Sequence, residues 1–223
     1  MFPIVLFVTL SVTAVFTTVI PTKYEIKLFP DFVDESFSAN AIIFVTVNES
    51  TKSFELQVSE NLDIDILFFE MRAPPGSLFH STGQSGNFEQ SNKSGRLPIS
   101  FRGEIPANPL EDAMWIDLDY RGKFGNKEER NGLFRTGDRS FETNLKNGHV
   151  ASLFPILEDV PVLVELTVRT GQPSEFETNL TPSSRRFSNG HHEYYFDSYD
   201  KKLKLSDIFL KIRLPIVIWQ SEN

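Results

Sequence analysis

Between Met114 and Tyr120 the chain reads Met-Trp-Ile-Asp-Leu-Asp-Tyr, so that Met114, Ile116, Leu118 and Tyr120 alternate with Trp115, Asp117 and Asp119. A period of two sends successive side chains to opposite faces of an extended chain, which makes this segment a half-buried strand and rules it out as one face of a helix. The period recurs. From Pro21 to Pro30, Tyr24, Ile26 and Leu28 alternate with Lys23, Glu25 and Lys27, and from Asn61 to Phe69, Leu62, Ile64 and Ile66 share a face opposite Asp63 and Asp65. Phe37 to Val47 is rich in β-branched and aromatic residues, and the polar turn Asn48 to Lys52 separates it from Phe54, Leu56 and Val58, which predicts a hairpin. Leu97 to Ile105, 160–168, His192 to Tyr199 and Ile208 to Trp219 also read as strands. Residues 81–96, Pro106 to Asp112, Gly122 to Gly132, Gly171 to Thr181 and Ser183 to Gly190 read as loops or turns, and no three-turn amphipathic helix appears. The expected class is all-β, as a single antiparallel β-sandwich or a curled, saddle-like sheet.

The 223 residues suffice for one such domain, and the 21 Phe supply a large apolar core. A formal net charge of -8 argues against a surface that tracks phosphates, so nucleic acid is not an expected partner. Residues 1–20 carry no charge and run apolar from Ile4 to Leu10 before small residues near Val12 and Ala14, as a secretory signal peptide does. The organisation expected is therefore a signal peptide over 1–20, a β-domain over 21–214 and a short tail over 215–223. Secretion is the expected localisation; a membrane anchor facing the extracellular side is the alternative if residues 1–20 are not cleaved. Sequons at Asn48, Asn92 and Asn179 agree with secretion as candidate glycosylation sites. With no cysteine, the core must hold the fold without disulfides.

The catalytic motifs sought in such a chain are missing. His80, His149, His191 and His192 form no His-Glu-x-x-His, so no metal ligand set is assigned. There is no Gly-x-Ser-x-Gly elbow, no Gly-x-Gly-x-x-Gly fingerprint and no Walker loop. The carboxylate pairs Asp63/Asp65 and Asp117/Asp119 alternate with core residues, which accounts for them as a solvated strand face. Glu158-Asp159 precedes Val160-Pro161 in a loop, where an acidic pair could meet an amine or simply be solvated.

Several segments, in order, resemble the N-terminal β-domain of the aminopeptidase N family of zinc metallopeptidases. Pro21-Thr22-x-Tyr24-x-Ile26-x-Leu28-x-Pro30 is similar to its first strand, Phe54-x-Leu56-Gln57 to a strand ending Leu-His, and Gly132-Leu133-Phe134-Arg135-Thr136 to Gly-Phe-Tyr-Arg-Ser. Thr143 to Val160 matches, without a gap, the family segment Thr-Gln-Phe-Glu-Pro-Thr-Asp-Ala-Arg-Arg-Ala-Phe-Pro-Cys-Phe-Asp-Glu-Pro that passes beside the active site. The resemblance implies that Asn144 stands for the Gln lining the substrate amine pocket, Lys146 for a Glu, and His149-Val150-Ala151 for Asp-Ala-Arg. Asn144, Lys146 and His149 are thus the candidate binding residues. Reversing the charge at Lys146 would repel a cationic amine. The family's Gly-Ala-Met-Glu-Asn and His-Glu-x-x-His motifs do not occur in these residues, so no catalytic residue and no cofactor are expected here, zinc entering only with a separately supplied catalytic domain. The expectation is a secreted, non-catalytic module that binds a protein or peptide. The alternatives are the N-terminal fragment of an active zinc aminopeptidase and a carbohydrate-binding sandwich.

Overall fold

The structure, a computed structural model, describes residues 18–72, 81–88, 95–110 and 112–215. Residues 1–17 of the leader expected over 1–20, the sequon at Asn92, His80 and residues 216–223 of the expected tail lie outside the described residues. In chain order the strands are β1 (Val19–Asp31), β2 (Ser36–Val47), β3 (Thr51–Gln57), β4 (Leu62–Arg72), β5 (Ser81–Ser85), β6 (Arg96–Ile105) and β7 (Met114–Lys123). They continue as β8 (Gly132–Gly137), β9 (Ser140–Asn144), β10 (Leu163–Thr170), β11 (Glu175–Thr178), β12 (Thr181–Ser188), β13 (His191–Asp197) and β14 (Leu210–Arg213), with short 3-10 turns at His149–Ser152 and Leu205–Asp207. The all-β expectation holds.

An eight-stranded sheet, in the order β12-β13-β10-β1-β2-β7-β4-β5, forms the main layer, accompanied by a four-stranded sheet β11-β14-β9-β8 and the pair β3-β6. Alternation places Tyr24, Ile26 and Leu28, Ile43 and Val45, and Ile116, Leu118 and Tyr120 on the inner face of the main sheet, all within 2 % of full burial. The smaller sheets close over that face in one continuous core. Phe54 and Phe101 meet Phe69 at ring centroid distances of 6.5 and 5.8 Å, and Phe176 meets Tyr194 at 4.4 Å. At the end bearing the β1–β2 turn, Phe141 packs between Phe32 and Phe124 at 4.6 and 5.6 Å.

Several local expectations are corrected. The strand read from Pro21 begins at Val19, which is buried and pairs with Val47, so residues 19 and 20 belong to the β-domain. β2 and β3 are not a hairpin: both edges of β2 are taken by β1 and β7, and β3 turns into the second layer to pair with β6. A register shift between Ile64 and Ile66 sends Ile66 to solvent at 45 % exposure and brings Leu67 into the core instead. Strands β5, β11 and β12 lie within segments read as loops or turns. The large sheet is also not wholly antiparallel, because β1 and β10 pair in parallel from Lys23–Leu163 to Leu28–Val168.

Candidate functional site

Thr143 to Asp159 forms a strap tied to the framework along its length. β9 is held between β8 and β14, and the buried Thr143 hydroxyl accepts a hydrogen bond from the Leu210 amide at 2.9 Å. Glu142 and Lys211 add an ion pair at 2.5 Å on the same two strands. Leu145 then plugs the core, and the chain reverses through Asn147 and Gly148 with φ of 55 and 87°. Two successive residues in the left-handed region explain the Asn-Gly pair here, since both residue types tolerate positive φ.

Beyond the reversal, the Val150 carbonyl accepts from the amides of Leu153 and Phe154 at 3.1 and 2.9 Å. The Ala151 carbonyl accepts from Ser59 N–H at 3.0 Å, and Ile156 exchanges backbone bonds with Gln57 at 2.7 and 3.1 Å. The Leu157 amide donates to the Tyr24 hydroxyl at 3.4 Å, and an Asp159 carboxylate oxygen accepts from Ser206 N–H at 3.2 Å. Asp159 is therefore occupied in joining the strap to the 3-10 turn at Leu205–Asp207. Val150, Leu153, Phe154, Ile156 and Leu157 are buried, which anchors the strap by apolar contact as well.

The three residues singled out by sequence fall on the outer side of this strap, within one six-residue turn. Asn144 and His149 are half-buried and Lys146 is exposed. Among the described residues, none of the three side chains makes a hydrogen bond or ion pair. They form a polar rim on a fixed backbone. No group of three or more His, Asp or Glu side chains is placed to hold a metal ion among the described residues.

Of the candidate sequons, Asn48 is exposed in the β2–β3 turn. Asn179 is engaged at both ends of its carboxamide, donating to the Asp207 carbonyl at 2.8 Å and accepting from Phe209 N–H at 2.8 Å, which braces the approach to β14. The carboxylate pairs lie on the outer face of the main sheet: Asn40 Nδ2 donates to Asp117 at 2.9 Å and Asp119 at 3.2 Å, and Asp65 pairs with Arg121 at 3.2 Å. Lys23 bridges Glu25 and Glu165, each at 2.6 Å. Burial lowers the pKa of its ammonium, but the hydrogen bonds to Glu165 and Glu25 outweigh that effect and hold it above the ordinary lysine value.

Sequence reasoning missed a cavity of about 1240 Å³ on that outer face, beside the β1–β2 turn. Phe29, Asp63, Arg121, Lys123, Arg169 and His191 are among its lining. These residues lie on five strands scattered along the chain, so no local motif announces them. Their joint placement follows only from strand order.

No protein-family model matches the chain, and no curated protein matches it by sequence. Solved structures do match by fold. The M1 zinc metallopeptidase from Deinococcus radiodurans superposes with a TM-score of 0.69 at 11% identity, over 88% of this chain and 42% of that one. A two-domain M1 zinc metallopeptidase mutant bound to L-tryptophan superposes with a TM-score of 0.68 at 11% identity, over 88% of this chain and 43% of that one. The fold is that of the N-terminal domain of these metallopeptidases, and the chain spans less than half the length of the enzymes it matches.

Proposed function

We propose that the chain is a secreted, non-catalytic binding module on the fold of a metallopeptidase N-terminal domain, with the strap at Thr143–Asp159 contacting a protein or peptide. The observation that carries this reading is the contrast within the strap. Its apolar residues and backbone are fixed into the core, while Asn144, Lys146 and His149 stand outside without partners among the described residues. A preformed backbone presenting uncommitted polar groups binds without first having to be ordered. Secretion rests on the uncharged, apolar run ahead of β1 and on the exposed Asn48 sequon.

One preparation tests the reading. The chain, expressed with its own N-terminal leader in a secreting eukaryotic cell, is expected in the medium cleaved ahead of Val19, where β1 begins. Supplied with zinc, it is expected to leave aminoacyl-coumarin substrates intact. Turnover abolished by chelation, or retention of the leader in the released protein, would overturn the respective part of the proposal.

The second reading is the N-terminal part of a zinc aminopeptidase, favoured by the match of 88% of this chain to enzymes more than twice its length. Immunoblotting of the native source separates the two: a band at the mass of 223 residues supports the module, and one at more than twice that mass supports the enzyme.

A further inference from the structure

Strand register places Arg186, Glu193 and Arg169 side by side on β12, β13 and β10, and Phe29, Ser38, Arg121 and Asp63 side by side on β1, β2, β7 and β4. The Arg169 guanidinium lies 5.7 Å from the centre of the Phe29 ring, which joins the two sets into one row across the outer face. The cavity beside the β1–β2 turn sits over the part of this row from Arg169 to Asp63.

The charges along the row are unevenly satisfied. Glu193 lies between Arg186 and Arg169 and accepts a 2.7 Å hydrogen bond from Tyr195. Its approach to Arg169 Nε is only 3.9 Å, and that nitrogen is buried without a hydrogen bond among the described residues. Arg186 and Arg169 together outnumber the one carboxylate between them, which leaves the β10–β13 end positive. At the other end Arg121 is drawn to Asp65, while Asp63 and Glu60 have no partner among the described residues. Lys123 offsets one of these two carboxylates, and that end stays negative. Between the ends, Asp31 is occupied in accepting from the amides of Val33 and Asp34, and Phe29, Phe32 and Val33 supply apolar surface.

We propose that this cavity binds an extended peptide segment with an acidic group over Arg169, a basic group over Asp63 and Glu60, and an apolar side chain between them. Length decides the class of ligand. Arg169 on β10 and Asp63 on β4 are four strand spacings apart, about 19 Å at roughly 4.8 Å per spacing. A free amino acid is too short to meet both charges, whereas about six extended residues span the gap at roughly 3.3 Å each. The site is separate from the Thr143–Asp159 strap and does not depend on the function proposed for it.

Fluorescence anisotropy with three terminally blocked hexapeptides tests the assignment, each with a central phenylalanine and with end residues lysine/glutamate, lysine/lysine or glutamate/glutamate. The lysine/glutamate peptide is expected to bind at least about fivefold more tightly than the other two. Arg169→Met should weaken it by about the same factor, and Asp63→Lys, at an exposed and unpartnered position, should move the preference to the glutamate/glutamate peptide. Far-UV circular dichroism confirms that each variant is folded. Equal binding of the three peptides, no saturable binding, or an unchanged preference in Asp63→Lys would overturn the proposal. Replacing Asn144, Lys146 and His149 together with alanine should leave binding intact; a loss there would place the peptide on the strap and equally overturn it.

Discussion

Tyr120 is the residue whose environment makes the sharpest demand on the fold. Its ring closes the core against Phe37, yet its hydroxyl is buried without a hydrogen bond among the described residues. Burial pushes its pKa well above the ordinary tyrosine range, and burial does the same to Tyr24 despite the Leu157 amide that donates to it. The folded state therefore keeps both protons after the unfolded chain has released them. Their contribution to stability is complete below about pH 10 and declines above it by about 1.4 kcal/mol per pH unit for each tyrosine. Tyr120→Phe removes one of the two groups and a desolvated hydroxyl. Urea unfolding at neutral pH should show a gain of about 1 kcal/mol, and the alkaline decline should become shallower by one tyrosine's share.

The strap separates structural from exposed residues within a single element. Leu153→Ala is expected to lower unfolding free energy by about 3 kcal/mol, because Leu153 is fully buried where the strap crosses the core. Replacing Asn144, Lys146 and His149 together with alanine should change it by no more than about 0.5 kcal/mol, since those side chains hold nothing else in place. Denaturant titration of the two variants compares them directly. Strands with one buried face, such as β1, β2 and β7, were legible because their alternation is the trace of that burial. β12 was not legible as a strand, since both its faces are exposed and no apolar period marks it. The β2–β3 hairpin failed for a different reason: adjacency in sequence does not reveal that both edges of β2 are already occupied. At the strap, the family resemblance pointed to Asn144, Lys146 and His149 as candidates, while the cavity depended on register between distant strands.

At the scale of the molecule, stability should be graded across the main sheet. β1, β2 and β7 are paired on both sides in its interior, whereas β5 and β12 form its two edges. Amide hydrogen exchange should accordingly be slowest in the first three and fastest in the edge strands, because edge hydrogen bonds open without disrupting the core. The parallel pairing of β1 with β10 carries a further consequence, this one a delay in time. The paired residues Lys23 and Leu163 are about 140 positions apart, and at roughly 5 to 20 residues per second a translating ribosome needs about seven to thirty seconds to make the intervening chain. Until β10 emerges, the free edge of β1 is open to pairing with any other nascent strand. Pro21 and Pro30, which lack an amide hydrogen, and Lys23 and Lys27, which carry charge, guard that edge against wrong partners during the wait.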